Sequence, residues 1–117
     1  MFSNILLIGL GGAAGSILRY ACQRFGNTSF PYGTFLVNIA GCFLIGMIWG
    51  LSVKGMDEER KLLLATGFCG GFTTFSAFTM EGVQMMAENR WLAFALYTGG
   101  SVVVGLLATF LGFKITH

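Results

Sequence analysis

The sequence predicts an all-α membrane protein: four transmembrane helices per chain, the third of them broken, arranged as an antiparallel dual-topology dimer. Three observations carry the four helices and the break. Of 117 residues, 55% are apolar and only 10% charged, with a mean hydropathy of +0.75, where soluble domains carry about 25% charge. The apolar residues fall into four runs, each near the ~20 residues that cross a ~30 Å hydrocarbon core. The third run holds Gly67-Phe68-Cys69-Gly70-Gly71-Phe72-Thr73-Thr74-Phe75-Ser76-Ala77-Phe78, a mixture that weakens a helix, because glycine costs about 1 kcal/mol relative to alanine and threonine is below average. In lipid a broken helix persists only where it lines a cavity, packs against protein or binds an ion. The segment is therefore predicted to be a membrane-embedded functional site.

The first span is placed at Asn4 to Tyr20. No basic residue precedes it, and its arginines follow the apolar run, which argues against a cleaved signal peptide. The second runs from Gly33 to Val53, the third from Leu62 to Met80 or slightly beyond, the fourth from Trp91 to Phe113. The connections, Cys22 to Tyr32, Lys54 to Lys61 and Glu81 to Arg90, are short and hold most of the charge. Residues 1–117 are thus read as a single four-span membrane domain without an internal repeat. Gly11-x-x-x-Gly15 and Gly46-x-x-x-Gly50 predict close helix contacts. Cys22, Cys42 and Cys69 lie in separate apolar segments and read as packed thiols, not disulfides. The net charge of +2 forms no basic run of the kind that binds nucleic acid.

Four spans place the N-terminus, the Lys54–Lys61 loop and the C-terminus on one side. That side carries Lys54, Arg60, Lys61 and Lys114, against Arg19, Arg24 and Arg90 on the other. Basic residues near span ends set orientation, and this four-to-three split barely decides it. Insertion both ways round is expected. It would permit an antiparallel homodimer, in which two chains supply the inverted pair that larger transporters encode in one.

Polar residues inside the membrane are the functional candidates. Asn38 lies within the second span and is either an interhelical hydrogen bond or a pore-lining donor. Thr73, Thr74, Ser76 and Thr79 follow the double glycine. If Gly70 to Thr73 leave helical geometry, their carbonyls become acceptors suited to a hard cation such as Na⁺; the alternative is a close helix crossing that needs small residues. Phe72, Phe75 and Phe78 recur at spacing three and share one side of a helical turn. Packing is their ordinary role, although a phenyl ring has a positive edge that can face an anion. Tyr97 and Ser101 lie four apart on one helical face. Arg19, at the end of span one, either snorkels to the interface or attracts anions to a vestibule. Glu81, at the end of span three, reads first as a solvated helix end. Asp57 to Lys61 read as a solvated loop and helix start.

Three stretches carry a resemblance over nearly the whole chain: Gly11-Gly12-Ala13-Ala14-Gly15-Ser16-Ile17-Leu18-Arg19-Tyr20, Gly33-Thr34-Phe35-Leu36-Val37-Asn38-Ile39-Ala40-Gly41, and Gly67 through Phe78 with Glu81. In them the chain resembles the small bacterial fluoride channels, the Fluc or CrcB proteins. The resemblance implies a passive fluoride-selective channel that exports cytoplasmic fluoride across the bacterial inner membrane. It implies an antiparallel homodimer embedded in membrane lipid, with two pores and a structural Na⁺ at its centre. By motif position the backbone carbonyls of Gly70 and Thr73 would hold the Na⁺. Phe75 and Phe78 would turn ring edges to fluoride, with Asn38, Ser76, Thr79, Tyr97 and Ser101 along the pore and Arg19 and Glu81 at its vestibule and mouth. Ala77 departs from the family pattern, standing where a threonine is common. A small multidrug exporter is the main rival, but proton coupling there uses a carboxylate in span one, and this span has none. A non-transporting membrane subunit explains the glycines but not the polar break. The spans hold no Ser/His/Asp, Cys/His or paired-carboxylate set, so an enzyme is not expected, and the only histidine, His117, excludes a haem anchor.

Overall fold

A bilayer supplies no water to unpaired backbone groups, so a spanning segment must satisfy its own. In the computed structural model, which describes residues 1–117, each apolar run does so as a helix. Helix α1 spans Phe2–Gly26 and α2 spans Tyr32–Val53. The third span begins with α3, Glu58–Lys61, capped by Asp57, whose side chain accepts the Arg60 backbone N–H at 2.8 Å. It continues as a π-helix over Leu62–Cys69 and a last turn, α4, Gly70–Phe72. It resumes as α5, Phe75–Ala87, before α6, Trp91–Thr116. Four segments, Phe2–Gly26, Tyr32–Val53, Glu58–Ala87 and Trp91–Thr116, are long and apolar enough to cross a membrane. The longest dimension, 47 Å, exceeds a ~30 Å hydrocarbon core.

The boundaries correct the sequence reading in three places. Helix α1 continues six residues past Tyr20, and the expected Cys22–Tyr32 connection shrinks to Asn27–Pro31. Arg19 accordingly lies two turns inside the helix rather than at its end. Glu81 sits in the middle of α5, not at the close of the span. The reason is the same in each case: these polar groups find partners within the protein, so they do not mark the water interface. The break also moves. Gly70 to Phe72 stay helical, and the extended residues are Thr73 (φ −86°, ψ 157°) and Thr74 (φ −149°, ψ 118°).

Glycines set the packing. A Cβ at Gly11 would lie 2.8 Å from the Phe68 nitrogen, and one at Gly15 would lie 2.8 Å from the Phe72 nitrogen. Helix α1 therefore rides with backbone against backbone on the first half of the third span. On the other side α2 and α6 form the most extensive helix pair. A Cβ at Gly46 would lie 2.9 Å from the Thr109 carbonyl carbon, and one at Gly112 would lie 2.9 Å from the Met47 nitrogen. Both sequence-read small-residue motifs thus serve helix contact. Hydroxyls fasten the second pair: Thr109 Oγ1 donates to the Cys42 carbonyl at 3.1 Å, and Thr116 Oγ1 to the Met47 carbonyl at 2.8 Å. Many large apolar residues, among them Leu6, Leu10, Ile17, Leu96 and Leu107, are left exposed, as a lipid-facing surface requires.

Candidate functional site

The break in the third span is held by one side chain. Asn38 Nδ2 donates to the Thr74 carbonyl at 3.1 Å, and the Thr74 N–H donates to Asn38 Oδ1 at 2.8 Å. An asparagine amide carries both donor and acceptor, so it replaces a backbone partner on each side of the peptide. Thr74 then starts α5, its Oγ1 accepting the Ala77 N–H at 3.2 Å as an N-cap. On the other side of the break the Thr73 N–H and Oγ1 both donate to the Cys69 carbonyl, at 3.0 and 2.8 Å.

Diverting Thr74 N–H to Asn38 has a consequence upstream. No hydrogen bond reaches the carbonyl oxygen of Gly70 or that of Thr73. Unpaired carbonyls at membrane depth cost several kcal/mol each unless something else meets them. Both residues line a groove of about 470 Å³ between α2, the break and α6. Asn38, Phe75, Phe78 and Ser101 line it as well. Phe75 is 77% exposed, its ring 6.0 Å from that of Phe78 between centroids. The Ser101 hydroxyl is buried without a hydrogen-bond partner. The groove therefore gathers seven of the residues singled out from the sequence: Asn38, Gly70, Thr73, Thr74, Phe75, Phe78 and Ser101.

Other candidates stand elsewhere. Ser76 and Thr79 are exposed on α5 outside the groove; Ser76 Oγ lies 3.3 Å from Thr74 Oγ1, and Thr79 Oγ1 donates to the Ser76 carbonyl at 3.0 Å. Tyr97 is completely buried behind Phe78, ring centroids 5.1 Å apart. Its hydroxyl donates to Glu81 Oε1 at 2.9 Å. The other carboxylate oxygen, Oε2, accepts from Thr34 Oγ1 at 3.0 Å and Asn27 Nδ2 at 3.1 Å. Arg19 Nε donates to the Gly71 carbonyl at 3.0 Å, tying α1 to the turn before the break.

The cluster extends further than the sequence reading reached. Arg19 donates to Gln23 Oε1 at 3.2 Å, and Gln23 Nε2 donates to Thr34 Oγ1 at 3.0 Å, so two side chains link the guanidinium to the carboxylate without direct contact. Thr34 is 0% exposed. Gln23, Asn27 and Thr34 were not among the sequence candidates. A signal was present: Arg19, Gln23 and Asn27 recur every four residues and share one helical face. Ending span one at Tyr20 hid it.

Residues 6–113 match the family described as CrcB-like protein, Camphor Resistance (CrcB). The chain belongs to the CrcB family. It is 46% identical over 115 residues to the fluoride-specific ion channel FluC of Nitratidesulfovibrio vulgaris, covering 93% of each chain. It is also 46% identical over 114 residues to FluC of Phocaeicola vulgatus, covering 93% of this chain and 94% of the relative. A third CrcB relative, fluoride-specific ion channel FluC 2 of Rhodococcus jostii, is 45% identical over 115 residues, covering 97% and 98%. In this CrcB chain the stretches that carried the sequence resemblance form the α1 crossing, the Asn38 clamp and the break itself.

Proposed function

We propose that the chain is a fluoride-selective passive ion channel, and not an enzyme, that releases cytoplasmic fluoride across the bacterial inner membrane. The observation that carries this reading is the groove at the break, which brings an amide, a partnerless hydroxyl and two phenyl rings together at membrane depth. Fluoride is small and strongly hydrated, so a pore has to replace its water with donors while staying too narrow for chloride. Amide, hydroxyl and ring-edge donors do this without a buried cation that would hold the anion too tightly to release it. Flow down the electrochemical gradient needs no coupling carboxylate, and α1, α2 and α6 contain none. The names of the CrcB relatives support the same ion.

The proposed assembly is an antiparallel homodimer with two pores. A groove on an open face, with Phe75 at its rim, becomes a closed path when a second chain covers it. The near-balanced basic residues favour inversion between the two copies. The CrcB family implies a structural Na⁺ at the dimer centre, and this chain's residues fit it: the Gly70 and Thr73 carbonyls are hard oxygen donors left without hydrogen bonds. Two copies would meet the ion with four such oxygens. Bound there, Na⁺ supplies fixed positive charge that offsets the exposed carbonyls. Ser76 and Thr79, exposed on α5, are assigned to the face the second copy covers. Arg19 and Glu81, joined through Gln23 and Thr34, are assigned to the mouth, and Tyr97 to the wall behind Phe78.

The test is efflux from liposomes loaded with fluoride, started by a potassium ionophore and followed with a fluoride electrode beside a chloride control. Rapid fluoride release with negligible chloride release is expected. Absence of ionophore-dependent release would point to a coupled carrier or a non-transporting subunit.

A further inference from the structure

A carboxylate beside an anion path is a hazard unless its oxygens are directed and satisfied. Glu81 is satisfied from three sides, by Tyr97, Thr34 and Asn27. Asn27 is the one with two tasks. Its Nδ2 lies 3.1 Å from Glu81 Oε2 and 3.2 Å from Thr34 Oγ1, so one amide group holds both members of the α2–α5 contact. Its Oδ1 accepts the Thr34 backbone N–H at 3.0 Å, capping the first turn of α2. Behind it, Gln23 donates to the same Thr34 hydroxyl at 3.0 Å, which leaves the Thr34 hydrogen free to point at Glu81. A hydroxyl has a single hydrogen, so this orientation depends on the donors behind it.

The surroundings give the carboxylate somewhere else to go. Asn27 and Glu81 together line two clefts, of about 500 and 420 Å³. Their hydrogen bond is thus common to the lining of both clefts. With the Asn27 donor removed, water in the clefts competes for Oε2, and the carboxylate turns toward it and away from Thr34.

We propose that Asn27, with Gln23 behind it, is a positioning residue for conduction: it holds the Glu81 carboxylate and the Thr34 hydroxyl in register at the pore mouth. This rests on the fluoride-channel reading. Asn27→Asp keeps the oxygen that caps α2, removes the donor to Glu81 and Thr34, and adds a negative charge beside Glu81. Asn27→Ala, which adds no charge, separates donor loss from repulsion. Two readings are taken on each: fluoride efflux from liposomes, and the infrared carboxylate bands of Glu81, identified by difference from Glu81→Gln.

The proposal predicts a dimer that elutes like wild type, efflux lowered about tenfold, the scale of losing a hydrogen bond to a charged group, and a shifted Glu81 band in both variants. Efflux within about twofold of wild type, or an unmoved band, would overturn it. A merely structural cap would leave the band in place in Gln23→Ala, which keeps that cap. Should Asn27→Asp fail to assemble, Gln23→Ala supplies both readings with the α2 cap intact, and wild-type efflux with an unmoved band there would likewise overturn it. If the wild-type protein releases no fluoride, the channel reading fails on its own. The band shift then still supports Asn27 as the clamp on Glu81, and its absence overturns that clamp.

Discussion

Asn38 shows how one side chain can shape a membrane helix. It satisfies both polar groups of Thr74, which the break would otherwise leave bare. Removing it orphans a donor and an acceptor at once, and a buried unsatisfied group costs about 1–3 kcal/mol. Asn38→Ala is therefore expected to destabilise the chain by roughly 2–6 kcal/mol, read as a lowered midpoint of thermal unfolding in detergent. Asn38→Asp should fall between the two, because it keeps the acceptor for the Thr74 N–H. A wild-type midpoint for Asn38→Ala would show that Thr74 finds other partners. The same residue illustrates what the sequence left open. Its place among apolar neighbours marked it as important, but an amide can serve a helix or a pore, and only its position beside Thr74 reveals the backbone clamp.

At the scale of the helix, the glycines divide into two kinds. Gly15 presses on the backbone of Phe72, whereas nothing lies within 4 Å of a Cβ added at Gly9. Gly15→Leu should cost at least about 1–3 kcal/mol through overpacking and lower the yield of monodisperse protein in size-exclusion chromatography. Gly9→Ala should be neutral or stabilising by up to about 1 kcal/mol, the helix-propensity difference. Equal behaviour of the two would contradict the α1 crossing. These contacts were legible because spacing of four is a geometric statement about a helix face. The helix ends were less legible. Arg19 and Glu81 read as interface markers by residue type, and only the hydrogen bonds joining them through Gln23 and Thr34 keep them inside the bundle. The break was legible as a segment but not as a residue. Two adjacent glycines promised a kink at Gly70, yet helical geometry tolerates them and the extended pair is Thr73–Thr74.

For the whole molecule the proposed antiparallel pair makes its own demand on the charge balance. Met56→Lys with Glu59→Lys would raise the basic residues on one side from four to six against three. Thr28→Lys with Ser29→Lys would raise the other side to five against four. Each pair should fix one orientation, read by side-specific labelling of reporter tags, and each should lose efflux when expressed alone. Co-expression should restore it, and full efflux from either variant in a single orientation would contradict the antiparallel dimer. The central claim is narrower: fluoride passes the rings at the break. Phe75→Ile keeps the apolar bulk and removes the ring edge, so efflux of this variant from fluoride-loaded liposomes, in protein shown to be dimeric, tests it most directly. Passage along the rings predicts a fall of about tenfold or more, equivalent to ~1.4 kcal/mol lost at the ion, with assembly unchanged. Wild-type efflux from a correctly assembled Phe75→Ile dimer would contradict it.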